Sequence, residues 1–237
     1  MKKTPPKQTH LIIGKGEVGI SLYKTLKPHY TTHIRDITGG DEGHVDVLHI
    51  CYPPHKNFVR ATQAYIKAYT PKLAIIHSTV PVGTTKKVGT IAVHSPIRGV
   101  HPNLDKGIKI FVKYFGGKKA EEAARIFKAI GIQTKVFKSA ETTELAKILS
   151  TTNYAWQIIF CKEAARICKK HNVDFDEAYT TFTQEYNEGY KKLGKPHVTR
   201  PVLKPVAGKI GGHCVMPNCD LLDDWMTRVI KRRNKQY

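Results

Sequence analysis

The run Gly14-Lys15-Gly16-Glu17-Val18-Gly19 constrains the fold more than any other part of the chain, because of what flanks it. A short apolar segment, His10 to Ile13, precedes it and reads as a strand; an amphipathic stretch to about Leu26 follows and reads as a helix. In a strand, glycine turn, helix unit the first glycine lets the chain turn sharply, the second lets a pyrophosphate approach the backbone, and the third lets helix and strand pack closely. The anion then rests on free N–H groups at a helix N-terminus. Asp36 stands twenty residues after Gly16, in the next short strand, Thr32 to Ile37. There a carboxylate accepts hydrogen bonds from the adenosine ribose hydroxyls. Gly14 to Gly19 and Asp36 are therefore candidate dinucleotide-binding residues. Asp36 repels a 2′-phosphate and so favours NAD over NADP, a preference that the adjacent Arg35 weakens.

Val45 to Tyr52 reads as a buried strand ended by Pro53 and Pro54, Lys56 to Tyr69 as a helix, and Leu73 to His77 as a strand. Alternation of this kind predicts a parallel sheet covered by helices. Ile91 to Val93 and Ile108 to Tyr114 are expected strands, Glu121 to Ile130 a helix, and Thr134 to Phe137 a last strand. A long helical pattern runs from about Thr142 to Lys170, and a second lies near Asp174 to Tyr190. Lys191 to Gly212 is expected to be loop and Asp220 to Arg233 a closing helix. Between Ile37 and Val45 there is no room for a crossover helix, since parallel neighbours are normally joined by about a dozen residues or more. Either the connection is a bare loop or the strand order is unusual. The expected class is α/β: a trimmed Rossmann-type dinucleotide-binding domain over 1–140, followed by a mostly helical segment over 141–237.

Thirty-nine Lys+Arg against 19 Asp+Glu leave a net charge of +20 at pH 7, which speaks to partners and solubility rather than to fold. Small phosphorylated or carboxylated substrates fit that charge; so do nucleic acid and a plain charged surface. Only Lys231 to Lys235 is densely basic, and aromatics are not interleaved with Lys/Arg in any single stretch, so no recognised nucleic-acid module emerges. A small anionic substrate is the expected partner, with nucleic acid left open. No apolar run approaches the roughly 18 residues of a membrane span, and the basic start is followed by too short an apolar run for a signal peptide. The expectation is a cytoplasmic protein with no membrane partner. Five cysteines, an odd number, argue against a disulfide framework. His213, Cys214 and Cys219 lack the paired spacing of a structural zinc site, so no metal is expected.

Three further motifs follow in order: Ser78-Thr79-Val80-Pro81-Val82-Gly83-Thr84-Thr85 after a buried strand; Glu144-Leu145-Ala146-Lys147 opening a long helix, with Glu163-Ala164-Ala165 and Ile167-Cys168 later in it; and Gly211-Gly212-His213-Cys214. They resemble the signature after the fourth strand, the central helix and the nucleophile loop of the UDP-glucose/GDP-mannose dehydrogenase family. The resemblance spans Val45 to Cys214 and stops short of that family's C-terminal nucleotide-sugar-binding domain, so the substrate is expected to be smaller than a nucleotide sugar. What the resemblance implies is NAD-dependent oxidation of a sugar hydroxyl, with Cys214 as the nucleophile that forms a thioester and Lys147 as the cation that stabilises the developing oxyanion. It also implies a homodimer packed through the long helix. Candidate cofactor contacts extend to Tyr52, Pro53 and Thr79. Candidate substrate contacts are Arg98, in the segment Ser95 to Pro102, with Glu144, Gly211 and Gly212.

The chain departs from the family pattern at three positions: Lys86 stands for a glutamate, Thr151 for an asparagine and Asn218 for an aspartate. Hydride transfer survives such changes more readily than base-assisted hydrolysis of a thioester. Three readings stay open: an NAD-dependent dehydrogenase acting on a hydroxyl of an anionic, sugar-like substrate; an NAD-binding homologue without chemistry, in a regulatory or assembly role; and a basic nucleic-acid-binding protein on the same scaffold.

Overall fold

The computed structural model describes residues 8–36, 43–212 and 214–237, in two compact units that divide between Lys147 and Ile148. The first unit runs β1 (Thr9–Ile13), α1 (Glu17–Leu26), β2 (Thr31–Arg35), β3 (Val47–Ile50), α2 (Phe58–Tyr69), β4 (Leu73–Ile76), α3 (Thr84–Val88), β5 (Ala92–His94), α4 (Leu104–Ile110), β6 (Lys113–Gly116), α5 (Ala120–Lys128) and β7 (Thr134–Phe137). The seven strands form one sheet in the order β2-β1-β3-β4-β5-β6-β7. Neighbours are parallel except β5 and β6, which run antiparallel with His94 opposite Gly116. The central strands LII, VLHI and LAII are buried on both faces, as a covered parallel sheet requires. One face packs Ile12, Val47 and Ile75 with Phe115 and Phe127; the other packs Leu11, Leu48 and Ala74 with Tyr52 and Phe58. Sheet and helices together bear out the expected α/β class.

The return from β2 across β1 to β3 spans residues 36–46, and among the described residues the strand order is the ordinary one without an outermost strand beyond β2. Residues 37–42, including Ile37 of the expected second strand, lie outside the described residues.

One expectation is corrected in this unit, and one element went unread. The strand expected over Ile108 to Tyr114 is α4 followed by β6: Leu104, Gly107 and Ile108 share a buried helical face, and Gly107 approaches Gly99 so closely that a Cβ there would stand 2.5 Å from the Gly99 Cα. The five-residue α3, absent from the sequence reading, is anchored by a carboxylate from far along the chain, described below.

The second unit is helical. α6 (Ala140–Lys170) begins in the first unit and runs on for 31 residues. A π-helical stretch, Asp176–Thr181, leads into α7 (Phe182–Lys192), and α8 (Val215–Cys219) and α9 (Trp225–Asn234) close the chain. Ala155, Ile159, Cys219 and Ile230 form its core. The single helix expected over Asp220 to Arg233 is broken, because Asp224 accepts from the Met226 N–H at 3.0 Å and Thr227 reciprocates, starting α9 afresh. The segment expected as loop over 191–212 carries one 3-10 turn, Pro196–Val198, and is held to α6 by the Lys162 ammonium, which donates to the Val206 and Gly208 carbonyls.

Candidate functional site

Gly14 has a φ of +108°, and a Cβ there would meet the Tyr52 nitrogen at 2.9 Å; a Cβ on Gly19 would sit 1.9 Å from the Gly14 carbonyl oxygen. Both positions therefore demand glycine for packing within the turn. Gly16 differs: nothing lies within 4 Å of where its Cβ would be. It is the N-cap of α1 and offers no side-chain cap, so the first N–H groups of a ten-residue helix are left to another acceptor. The Gly14 N–H donates to the Arg35 carbonyl at 2.8 Å, which sets the end of β2, and exposed Asp36 after it, beside the turn. The Arg35 guanidinium donates to the Tyr69 hydroxyl of α2. Lys15 is exposed and Val18 half-buried. Exposed Glu17, whose charge opposes an anion, meets His101 Nδ1 at 2.5 Å.

The Tyr52 ring is buried against Phe58 and its hydroxyl bonds Thr62 Oγ1 at 2.6 Å; burial pushes that hydroxyl up to about 12. The Tyr52 and Cys51 backbones abut the turn at Gly14. Pro53 is exposed and Thr79 partly so, and Ser78 Oγ donates to the Tyr52 carbonyl at 2.6 Å, tying the two strand ends together.

Glu144 is completely buried on α6. Its Oε2 accepts from the Gly83 N–H at 2.6 Å, and its Oε1 from the Thr85 N–H at 2.8 Å and the Thr85 hydroxyl at 2.6 Å. The carboxylate anchors α3 to α6, and these three donors occupy the side chain expected to contact substrate. Lys147, one turn further on, is half-buried. Thr151 donates its hydroxyl to the Ile148 carbonyl at 2.9 Å. The Arg98 guanidinium packs over the rings of Phe111 and Tyr114, 5.2 and 4.9 Å from their centroids, and donates to the Val112 carbonyl at 3.4 Å.

In the second unit Gly211 and Gly212 are exposed, Cys214 is half-buried at the start of α8, and His213 lies outside the described residues. Asn234 holds the approach to this loop by accepting from the Ile210 N–H at 2.6 Å. Asn218 is buried, and Asp220 pairs with Lys231 at 3.0 Å on the surface. Among the described residues no three His, Cys, Asp or Glu side chains converge as a metal site, and no helix is long and apolar enough to cross a membrane.

The sequence reading passed over His10, His49, His77, His94 and Lys113, all buried. The signal was present: a histidine lies within, or directly after, each of four apolar runs, THLII, VLHI, LAII and AVH. His94 Nε2 meets the Ser78 carbonyl at 3.1 Å and Nδ1 meets Thr143 Oγ1 at 2.8 Å, linking β5 to the start of α6. Burial lowers it to about 3, so it is a neutral structural link.

No family model matches the chain. Curated UDP-N-acetyl-D-mannosamine dehydrogenases of Methanococcus vannielii and Methanococcus maripaludis are each 27% identical to it over 175 residues, covering 70% of this chain and 36% of theirs. The chain thus spans about a third of the length of the curated relatives it matches. Among solved structures, the UDP-D-ManNAc dehydrogenase of Pyrococcus horikoshii shares the fold at a TM-score of 0.76 and 18% identity, over 97% of this chain and 68% of that one. A UDP-glucose dehydrogenase of Pyrobaculum islandicum does so at 0.72 and 16%, over 100% and 70%. The 3-hydroxyisobutyrate dehydrogenase of Mycobacterium tuberculosis does so at 0.70 and 16%, over 97% and 93%. In sequence over 70% of its length, and in fold over nearly all of it, this chain is similar to the nucleotide-sugar dehydrogenases.

Proposed function

We propose that the chain is a dehydrogenase that uses NAD to oxidise a hydroxyl group of a small anionic, sugar-like substrate. The observation that carries this reading is the glycine turn: two glycines required by packing, a third with open space above it, an uncapped helix N-terminus, and a carboxylate at the adjoining strand end. Residues 14–19 would hold the pyrophosphate on backbone N–H groups, and Asp36 would accept from ribose hydroxyls. When bound, the nicotinamide supplies a two-electron acceptor for the hydroxyl-bearing carbon.

Lys147 serves in this reading as the cation that stabilises charge on the reacting oxygen, and Cys214 as the nucleophile that captures a carbonyl. The Thr151 hydroxyl is engaged by Ile148, Asn218 cannot take a proton, and Asp220 is held by Lys231. These positions supply no ready base to hydrolyse a thioester. That observation favours a second reading, a homologue that binds NAD without turnover.

Calorimetric titration with NAD, followed by NADH formation from a panel of sugars and hydroxy acids, tests both. Micromolar to millimolar affinity with NADH produced supports the enzyme; affinity without NADH from any substrate supports the second reading. Absence of binding at millimolar NAD overturns both.

A further inference from the structure

Three imidazoles form a hydrogen-bonded file through the core of the first unit. His10 on β1 lies opposite Val47, and His49 stands two residues beyond Val47; His49 in turn lies opposite Ile75, and His77 stands two residues beyond that. Each step moves one strand across and two residues toward the carboxyl edge of the sheet, so all three side chains keep to one face. His10 Nδ1 meets His49 Nε2 at 2.8 Å, and His49 Nδ1 meets His77 Nε2 at 2.9 Å. The rings stack 16° from parallel. At the amino edge His10 Nε2 meets Gln8 Oε1 at 3.2 Å, and Gln8 is half-exposed. At the carboxyl edge His77 Nδ1 meets the Ser95 carbonyl at 2.9 Å and Lys113 Nζ at 3.4 Å. Lys113 pairs with no carboxylate among the described residues; it also donates to the Ser95 carbonyl at 3.3 Å and packs over the rings of Phe115 and Phe127. With Ile97, Arg98 and Phe111 it lines a cavity of about 10 Å³, room for about one water.

A neutral imidazole has one N–H and one lone pair. If Gln8 Oε1 accepts from His10 Nε2–H, His49 and His77 must also carry their protons on Nε2, and the His77 Nδ1 lone pair then faces the Ser95 carbonyl at 2.9 Å, a contact relieved only by the Lys113 ammonium donating to both. If Lys113 is a neutral amine, His77 can donate from Nδ1 to the Ser95 carbonyl. His49 and His10 then also carry protons on Nδ1, and His10 Nε2 accepts from a turned Gln8 amide. Any mixture of neutral tautomers sets two N–H groups or two lone pairs face to face. The file therefore has two ordered states: the Nε2–H state stands only while a Lys113 ammonium bridges His77 Nδ1 and the Ser95 carbonyl, and the Nδ1–H state needs no such bridge. Burial holds His49 and His77 well below the usual imidazole range and His10 at about 4, and lowers Lys113 to about 7.

We propose that Gln8, His10, His49, His77 and Lys113 form a proton wire that carries one proton between Lys113 at the carboxyl edge and solvent at the amino edge of the sheet. A Lys113 N–H bond breaks as its proton joins His77 Nδ1. The His77 Nε2 proton passes to His49 Nδ1, the His49 Nε2 proton to His10 Nδ1, and the His10 Nε2 proton, itself out of reach of solvent, leaves to water only when the half-exposed Gln8 side chain swings aside to admit it. One proton has left, Lys113 is a neutral amine, and no ring carries charge. The groups facing the file are few. Tyr30 stacks on His10 and Asp46 acts on it from the turn before β3. His94 acts on His77. Cys51 acts on Lys113, with its thiol kept neutral by burial, which pushes it up to about 12. From α5 the Phe127 ring meets His49, His77 and Lys113. Oxidation of an alcohol by NAD releases a proton, and ligands bind at the carboxyl edge of such sheets; that use of the wire rests on the proposed dehydrogenase reading, whereas the wire does not.

The test is to label the imidazole nitrogens and record His10, His49 and His77 by NMR from pH 6 to 9 in the ligand-free protein. All three are expected to convert from Nε2–H to Nδ1–H with one shared midpoint that coincides with the titration of Lys113 Nζ. Lys113→Met, close in length and uncharged, should hold the three in the Nδ1–H form at every pH. His49→Phe should leave His77 responsive and His10 unresponsive. Tautomers that stay fixed while Lys113 titrates, or that are unchanged in Lys113→Met, overturn the proposal; if His49→Phe does not fold, these two titrations decide. Turnover plays no part in the measurement, so failure of the dehydrogenase reading leaves it standing.

Discussion

Glu144 and Gly16 are each surrounded in a way that makes their substitution informative. Two oxygens of a fully buried carboxylate receive three donors from Gly83 and Thr85, and Glu144→Ala strands all three. It should cost about 3 kcal/mol or more, read as a fall in the denaturant midpoint. Gly16→Val has the opposite character. The open space above Gly16 accepts the side chain, so the thermal midpoint should stay within about 0.5 kcal/mol equivalent while NAD binding is lost. Asp36→Ala should weaken NAD more than NADP in the same titration. For the chemistry, Lys147→Ala should remove nearly all NADH formation, whereas Cys214→Ser should leave at most one equivalent per substrate. Two NADH per substrate with full activity in Cys214→Ser would exclude the thioester route. Of these residues the glycines were legible from sequence because their reasons are local. The anchoring by Glu144 was not, since its donors lie about sixty residues away and only packing brings them to it. The histidines were visible one by one, but their meeting depends on a two-residue stagger between strands that no single run of sequence contains.

At the scale of elements, long periodic segments were read well and short ones were not. α6 declares itself over eight turns, and β1, β3 and β4 as apolar runs. α4 hides because Ile108, Ile110 and Val112 alternate as a strand does, while the feature that makes a helix there, the close approach of Gly107 to Gly99, is tertiary. The break before α9 follows from a capping box that sequence could have supplied: Asp224 and Thr227 stand at the required spacing. Asp224→Ala should cost about 1 kcal/mol and raise hydrogen exchange in the first turn of α9 without affecting the first unit. In the same unit Glu163 accepts from Arg233, Arg166 and Tyr237, and the Arg233 guanidinium first of all holds its carboxyl down to about 2. A depressed carboxyl contributes stability that is present above its unfolded value and is lost as pH falls toward 2, so Glu163→Gln should weaken α9 docking most near neutral pH.

For the whole molecule, pH is the strongest lever. His10, His49, His77 and His94 are all buried neutral, with folded values below the ordinary 6.5. Their contribution is complete above that value and is lost as pH falls, because the unfolded chain takes up protons that the folded one refuses. Each histidine adds a slope of about 1.4 kcal/mol per pH unit, so the four together should give about 5 kcal/mol per unit below pH 6.5. Against a total of about 5 to 15 kcal/mol, the first unit should unfold steeply between about pH 6 and 4. His49→Phe, which removes one titrating group, should flatten that limb by about a quarter in a series of denaturant melts. Lys113, lowered to about 7 from 10.5, adds stability that grows as pH rises through that interval, moving the optimum to the alkaline side of neutrality. The strand order has a further outcome. Among the described residues it leaves β2, Thr-Thr-His-Ile-Arg, as one border of the sheet, with β7, Thr-Lys-Val-Phe, as the other. Each border offers a row of backbone donors and acceptors on which a second copy could template itself into a fibril. Both are short, and both carry basic side chains, Arg35 and Lys135, in a chain already at +20. Copies are therefore kept apart by like charge more than by shape, and ionic strength sets that guard: at 1 M salt, where screening reaches within about 3 Å, border-to-border growth meets little resistance.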